Sequence, residues 1–166
     1  LHMLDLAIHY IREGDMLSKE FRQFVVRAKS NTYASGNPPD RSSRPASHDM
    51  HYVEEPYQYV DSWLGGFHFL GSEAVWQKGE CVWGMNYYGK MLVDRIPDGF
   101  GKFLKAALLQ VPADAPYRGP ASFSEGDFEY HCSWRGSLQQ FEGEEAISLD
   151  KKIIYRLTFH GGEVRE

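Results

Sequence analysis

Arg44, His48, Asp49 and His51, with Arg41 close by, crowd into one short stretch of this 166-residue chain. A histidine beside an aspartate can be held in one tautomer and pass a proton. An arginine fork can clamp a carboxylate or phosphate. The same residues also make ordinary loop fasteners, with Asp49 capping the turn into a strand and Arg44 pinning the loop to a sheet edge. Adjacency in sequence does not make a catalytic dyad, and no serine or cysteine is placed within reach of the imidazole. The stretch therefore reads first as structural, next as a binding site and last as catalytic.

Asp61 carries a different signal. Alternation from Tyr57 to Trp63 puts Tyr57, Tyr59 and Trp63 on one strand face, and Asp61 interrupts that aromatic stripe. A carboxylate facing inward must be neutralised or paired. Arg44 or His48 from the loop is one candidate partner; otherwise the strand end lies open to water. Glu73 and Glu145 occupy matching places further along. Two such carboxylates brought together would raise one pKa and could do acid–base work. The commoner fate of a Glu beginning a strand after a Gly is to face water or pair with a Lys. Trp63, Trp76, Trp83 and the Asn86-Tyr87-Tyr88 run suit an aromatic pocket, though such alternation more often builds a core and cross-strand pairs. The candidate ligand-binding set is Arg44, His48, Asp49, Asp61, Trp63, Asn86 and Tyr88. No residue is assigned as catalytic or as a metal ligand, since His48-x-x-His51 alone is weak metal spacing.

The elements that must position these residues are written twice. Tyr59, Ser62, Trp63 and Gly65 are matched 71 residues on by Tyr130, Ser133, Trp134 and Gly136. After one added residue, Gly71, Glu73, Ala74 and Gly89 are matched by Gly143, Glu145, Ala146 and Gly161. An internal duplication explains this register. The spacing predicts a helix from Lys19 to about Ser30, with Ser18 as N-cap and Phe21, Phe24, Val25 and Ala28 on one side. A second helix carries Phe100, Phe103, Leu104, Ala107, Leu108 and Val111, with Asp98 as its cap. A short helix over Met3–Glu13 is also expected. Strands are read at Tyr57–Trp63, around Phe67–Leu70, at Glu73–Gln77 and across Trp83–Tyr87, with counterparts in the second half. Lys78-Gly79 and Asp150-Lys151 read as hairpin turns. Thr32 to Asp49, dense in Pro, Ser and charge, has no period and reads as a long loop that is either mobile or part of a site.

The expected fold is α+β. Each half is a helix plus four strands, together giving a mostly antiparallel sheet of about eight strands with two helices packed on it. The tandem cystatin-like arrangement shares this element order, and a closed barrel is the alternative. Residues 1–16 read as an extension and 17–166 as one domain of two repeats, about 17–90 and 98–162.

A formal charge of −5 and a pI of about 5.8 leave no basic stripe for direct nucleic-acid binding. No apolar run approaches the length of a membrane span, and no secretory leader is legible, so a cytoplasmic protein is expected. Cys81 and Cys132 read as free thiols. CxxC, HExxH, P-loop, GxGxxG and GxSxG motifs are all missing, and no cofactor is implied.

By SSRPASHDM, YVDSWLGG, VWGMNYYG, PYRGP and FHGG, the chain resembles a bacterial family known only as a domain of unknown function. Some members of that family carry an XRE-type helix-turn-helix in front and are named transcriptional regulators. The resemblance runs from about Phe24 to Gly162. It implies the domain's identity, and a sensing or effector role by association. The leading functional expectation is a module binding a small polar or aromatic ligand under the Thr32–Asp49 loop. A protein-interaction module, with a homodimer as one form, comes second. An enzyme using His48, Asp49 and Arg44 comes third.

Overall fold

The computed structural model describes residues 17–166. The helix expected over Met3–Glu13 lies outside the described residues. Helix α1 (Lys19–Asn31) begins where Ser18 Oγ accepts from the Phe21 amide at 3.3 Å, as the sequence predicts. It ends at Thr32, whose hydroxyl turns back to donate to the Ala28 carbonyl at 2.9 Å. A 3-10 turn (Tyr33–Ser35) follows, then β1 (Ser47–Glu54), β2 (Tyr57–Gly65), β3 (His68–Gln77) and β4 (Glu80–Met91). The second half repeats the order with α2 (Phe100–Leu108), β5 (Ser122–Glu125), β6 (Phe128–Ser137), β7 (Gln140–Leu149) and β8 (Lys152–Glu163).

All eight strands join one open antiparallel sheet in the order β1-β2-β3-β4-β8-β7-β6-β5. The two four-stranded meanders meet through β4 and β8. The expected class and strand number stand, and the sheet is open rather than closed. The partition of strands differs from the sequence reading. The segments read around Phe67–Leu70 and at Glu73–Gln77 merge into one strand that starts at His68 and runs through Gly71. The fourth strand of each half comes instead from segments read as connection, Ser47–Glu54 and Ser122–Glu125. Pro and Ser hide the start of β1, because strand propensity there is overridden by pairing with β2. Lys78 with Gly79, and Asp150 with Lys151, have positive φ at both positions, the backbone a two-residue hairpin needs. Asp98 does not cap α2. The N-cap is Gly99, with φ of 83° and no side-chain cap bond, and Val111 lies beyond the helix end.

Both helices lie on the same face of the sheet, where the rings gather. Phe21 and Phe24 of α1 pack on Tyr57 at 5.7 and 5.0 Å between centroids, and Phe21 also meets Trp83. Phe100 of α2 meets Tyr155 at 5.3 Å, and Phe103 stacks on Phe128 at 5.0 Å. Burying each such side chain contributes roughly 1.5–3 kcal/mol. The opposite face is uncovered by the described residues and carries Leu70, Tyr88 and Val53 exposed. Among the described residues no helix is long and apolar enough to cross a membrane. Cys132 is buried and Cys81 half-buried, both as free thiols.

Candidate functional site

Alternation decides which side chains reach the helix side. On β2 the odd residues Tyr57, Tyr59 and Asp61 turn inward and are buried, as Gly71, Glu73 and Val75 are on β3. Asp61 and Glu73 are direct cross-strand partners, so two carboxylates sit side by side under the helices. Their exposures are 5% and 3%. An uncompensated arrangement of this kind is costly. The compensation comes from α1, where Lys29 sits one turn after Val25 on the buried stripe. Its ammonium pairs with Glu73 and also donates to the Tyr117 carbonyl at 2.8 Å. Burial pushes the Lys29 pKa down although Glu73 opposes it.

The second half builds a parallel cluster. Glu145, 1% exposed, accepts a two-pronged bond from Arg118, Nε to Oε2 at 3.1 Å and Nη2 to Oε1 at 2.8 Å. The hydroxyls of Tyr130 and Tyr155 donate to it at 2.7 and 2.8 Å. Burial alone would raise the Glu145 pKa, but Arg118 and these donors outweigh it and hold the carboxyl below its usual range. The same carboxylate, together with burial, pushes the neighbouring Cys132 thiol up to about 12. Cys132 stands opposite Glu145 in the register just as Asp61 stands opposite Glu73.

Asp61 is the member left incomplete. Tyr87 donates its hydroxyl to Oδ1 at 2.7 Å, and Oδ2 has no hydrogen-bond partner among the described residues. Tyr87 can reach it because Gly71 lies directly opposite on β3. A Cβ at Gly71 would come within 2.4 Å of the Tyr87 hydroxyl. Burial, then the charge of Glu73, raises the Asp61 pKa to about 7, against the pull of Tyr87, Lys29 and Arg118. Asp61 lines a cleft with Lys29, Thr32, Tyr33, Glu73 and Arg118. The cleft is small, with a cavity volume of about 20 Å³, room for about one water molecule. The chemistry available there is hydrogen bonding from both signs of charge, with one carboxyl poised to gain or lose a proton near neutrality. Among the described residues no group of three His, Cys, Asp or Glu is placed to hold a metal.

The structure separates the residues singled out from the sequence. Asp61 is in the cleft. Trp63 adjoins it through Tyr33, which meets its ring edge-on at 5.7 Å, and His48 stacks on the outer side of Trp63 at 5.3 Å. Asp49 and Ser62 pair across β1 and β2 with their side chains on the opposite face. There the Ser62 hydroxyl donates to Asp49 Oδ1 at 2.6 Å, and Arg44 Nη2 donates to the Ser62 oxygen at 2.7 Å. The Ser43 amide donates to Asp49 Oδ2 at 2.6 Å. Burial opposes ionisation of Asp49, but these bonds prevail and hold its pKa well below the usual carboxylate range. Arg44 and Asp49 thus fasten the loop, and the partner of Asp61 is Tyr87 instead of Arg44 or His48. Asn86 and Tyr88 are exposed on the uncovered face, since alternation that turns Tyr87 inward turns its neighbours out.

Lys29, Tyr33, Tyr87 and Arg118 were missed as site residues. Lys29 was detectable as a cation interrupting the apolar stripe of α1. Glu73 and Glu145 are both buried and do not face water; Glu73 pairs with a lysine, one of the two expected fates, and Glu145 with an arginine. Their alternation with Val75 and Ile147 already pointed inward. Arg118 sits in an aperiodic connection and left no signal.

Residues 61–164, well over half of the chain, match a family described as a domain of unknown function (DUF5680). The chain belongs to that family. The matched segment opens at Asp61 and takes in Glu73, Tyr87, Arg118 and Glu145, while Lys29 and Tyr33 precede it. No curated protein and no solved structure matches the chain.

Proposed function

We propose that this domain binds a small polar ligand in the cleft between α1 and the sheet, and acts as a sensing or effector module. One observation carries the reading. Asp61 is a buried carboxyl with one oxygen claimed by no protein donor, and it faces a cleft edged by two buried cations. That oxygen is not sealed off and opens to the cleft, where it meets whatever fills the space. A ligand group or water must complete it. The regulatory part of the reading rests on the resemblance to domains that follow an XRE-type helix-turn-helix, and it goes with a cytoplasmic location.

In the same reading the two halves descend from one duplicated unit. Supporting this, Trp63 faces Gly71 as Trp134 faces Gly143, and both β3 and β7 shift register at the same place, after Val75 and after Ile147. The halves differ at Asp61, where the second half has Cys132. The site therefore lies where the copies diverged.

The test is a thermal-shift screen of a metabolite panel against wild type, Asp61→Cys, Arg44→Ala and Asn86→Ala. A ligand binding only the native state raises the midpoint by mass action. A hit kept by Arg44→Ala and Asn86→Ala but lost by Asp61→Cys supports the cleft. A hit lost only by Arg44→Ala moves the site to the loop. If no compound shifts wild type, the second reading leads, a protein-interaction surface on the uncovered face. That reading is favoured by the row of Leu64, Leu70 and Tyr88, which are neighbours across β2, β3 and β4.

A further inference from the structure

Arg118 uses two of its three nitrogens on Glu145, and Nη1 makes no hydrogen bond with the described residues. Its side chain is 9% exposed and lies over the Tyr87 ring at 5.5 Å. It therefore borders the same cleft as Asp61, yet makes no ion pair with it. The Tyr33 hydroxyl, also in the lining, has no hydrogen-bond partner either. The cleft thus presents an unused donor at Arg118, an unused acceptor at Asp61, and at Tyr33 a hydroxyl able to serve as either.

We propose that the cleft recognises the uncharged donor–acceptor edge of an amide-like group, a primary carboxamide or lactam, with Arg118 donating to its oxygen and Asp61 accepting from its nitrogen. This inference rests on the ligand-binding reading above. Charge bookkeeping selects the class. An anion entering beside Arg118 and Lys29 also meets Asp61 and Glu73, and a cation drawn to the carboxylates meets the two bases. Either would be stripped of water without a clean counter-charge, which is costly. A neutral edge with a donor and an acceptor side by side satisfies both unused groups and leaves the Lys29–Glu73 and Arg118–Glu145 pairs intact. With a cavity volume of about 20 Å³ the cleft takes in only the edge itself, so the remainder of a larger molecule occupies the mouth.

The experiment uses three small probes, acetamide, its anionic isostere acetate, and the cation methylammonium, titrated into the ¹⁵N-labelled chain while backbone amide shifts are followed. Acetamide is expected to move the amides of Thr32, Tyr33, Ala34 and Asp61 saturably, and more tightly than the charged probes. Its affinity should fall about tenfold in Asp61→Cys, and likewise in Arg118→Lys, which keeps a charge beside Glu145 but loses the free fork nitrogen. Asp61→Cys carries the side chain standing at the matching place in the second half, so it decides the question if Arg118→Lys fails to fold. Stronger saturation by acetate or methylammonium at those amides overturns the ligand class and leaves the binding reading standing. Equal acetamide affinity in wild type and Asp61→Cys overturns the pairing. If none of the three probes moves those amides, both the class and the binding reading fall.

Discussion

Replacing Asp61 by Asn isolates the energetic cost of burying a carboxyl opposite Glu73. In the folded chain burial and the Glu73 charge raise its pKa from the ordinary 3.8 to about 7. Between those values the folded protein keeps a proton that the unfolded chain has released. Stability must therefore fall as pH rises through that window, and level off above about 7. At about 1.4 kcal/mol per pKa unit, the wild type loses on the order of 4 kcal/mol across it. Asn mimics the protonated acid, and its carbonyl still accepts the Tyr87 hydroxyl that lies at 2.7 Å in wild type. The assay is urea unfolding of both proteins from about pH 4.5 to about pH 8. The two should be close in stability at the acid end. Asp61→Asn should become the more stable by up to about 4 kcal/mol at the alkaline end. Titrations of groups remote from Asp61 cancel in the difference. A difference that stays constant with pH, or that favours wild type as pH rises, would refute the placement of Asp61 as a buried carboxyl beside Glu73.

Lys29→Met strips Glu73 of its counter-charge and is expected to cost about 3–5 kcal/mol, while Lys29→Met with Glu73→Leu recovers most of it in a chemical-denaturation cycle. Gly71→Ala places a methyl 2.4 Å from the Tyr87 hydroxyl and 2.7 Å from the Ser62 carbonyl. It should cost about 1–3 kcal/mol by overpacking and disturb the Asp61 bond, read as a larger fall of stability with rising pH, because Tyr87 holds the Asp61 pKa down. Ser62→Ala removes the hydroxyl joining Arg44 to Asp49. About 1 kcal/mol should be lost and trypsin should cut faster after Arg41, with cleft amide shifts unchanged. Asn86→Ala should stay within about 0.5 kcal/mol of wild type in thermal unfolding, since its side chain faces solvent.

Much of the fold was legible because it rests on local periodicity. The period of α1, the Ser18 cap, the Lys78-Gly79 and Asp150-Lys151 turns and the in–out alternation of β2 and β6 are properties of neighbouring residues. β1 and β5 were not, because their strand state comes from pairing with β2 and β6 rather than from their own composition. The site was half legible. Asp61 announced itself as a charge in an aromatic stripe, and its inward direction followed from alternation. Its partner did not follow, since Arg44 is close in sequence but attached to the face on which Ser62 and Asp49 project. Alternation already assigned Tyr87 to the inward face. Only the register opposite Gly71 made it the neighbour of Asp61.

By itself the amino-acid sequence determined the α+β class, the inward set of side chains and the inward direction of Asp61. Those follow from periods of 2 and 3.6, which a single strand or helix carries alone. The tertiary structure decided which charges meet. Lys29 reaches Glu73 across 44 residues and Arg118 reaches Glu145 across 27, and a charge pair at that separation depends on how α1 and the Tyr117–Arg118 connection settle on the sheet. The cleft exists because that settling satisfies Glu73 and Glu145 and leaves Asp61 with one oxygen to spare.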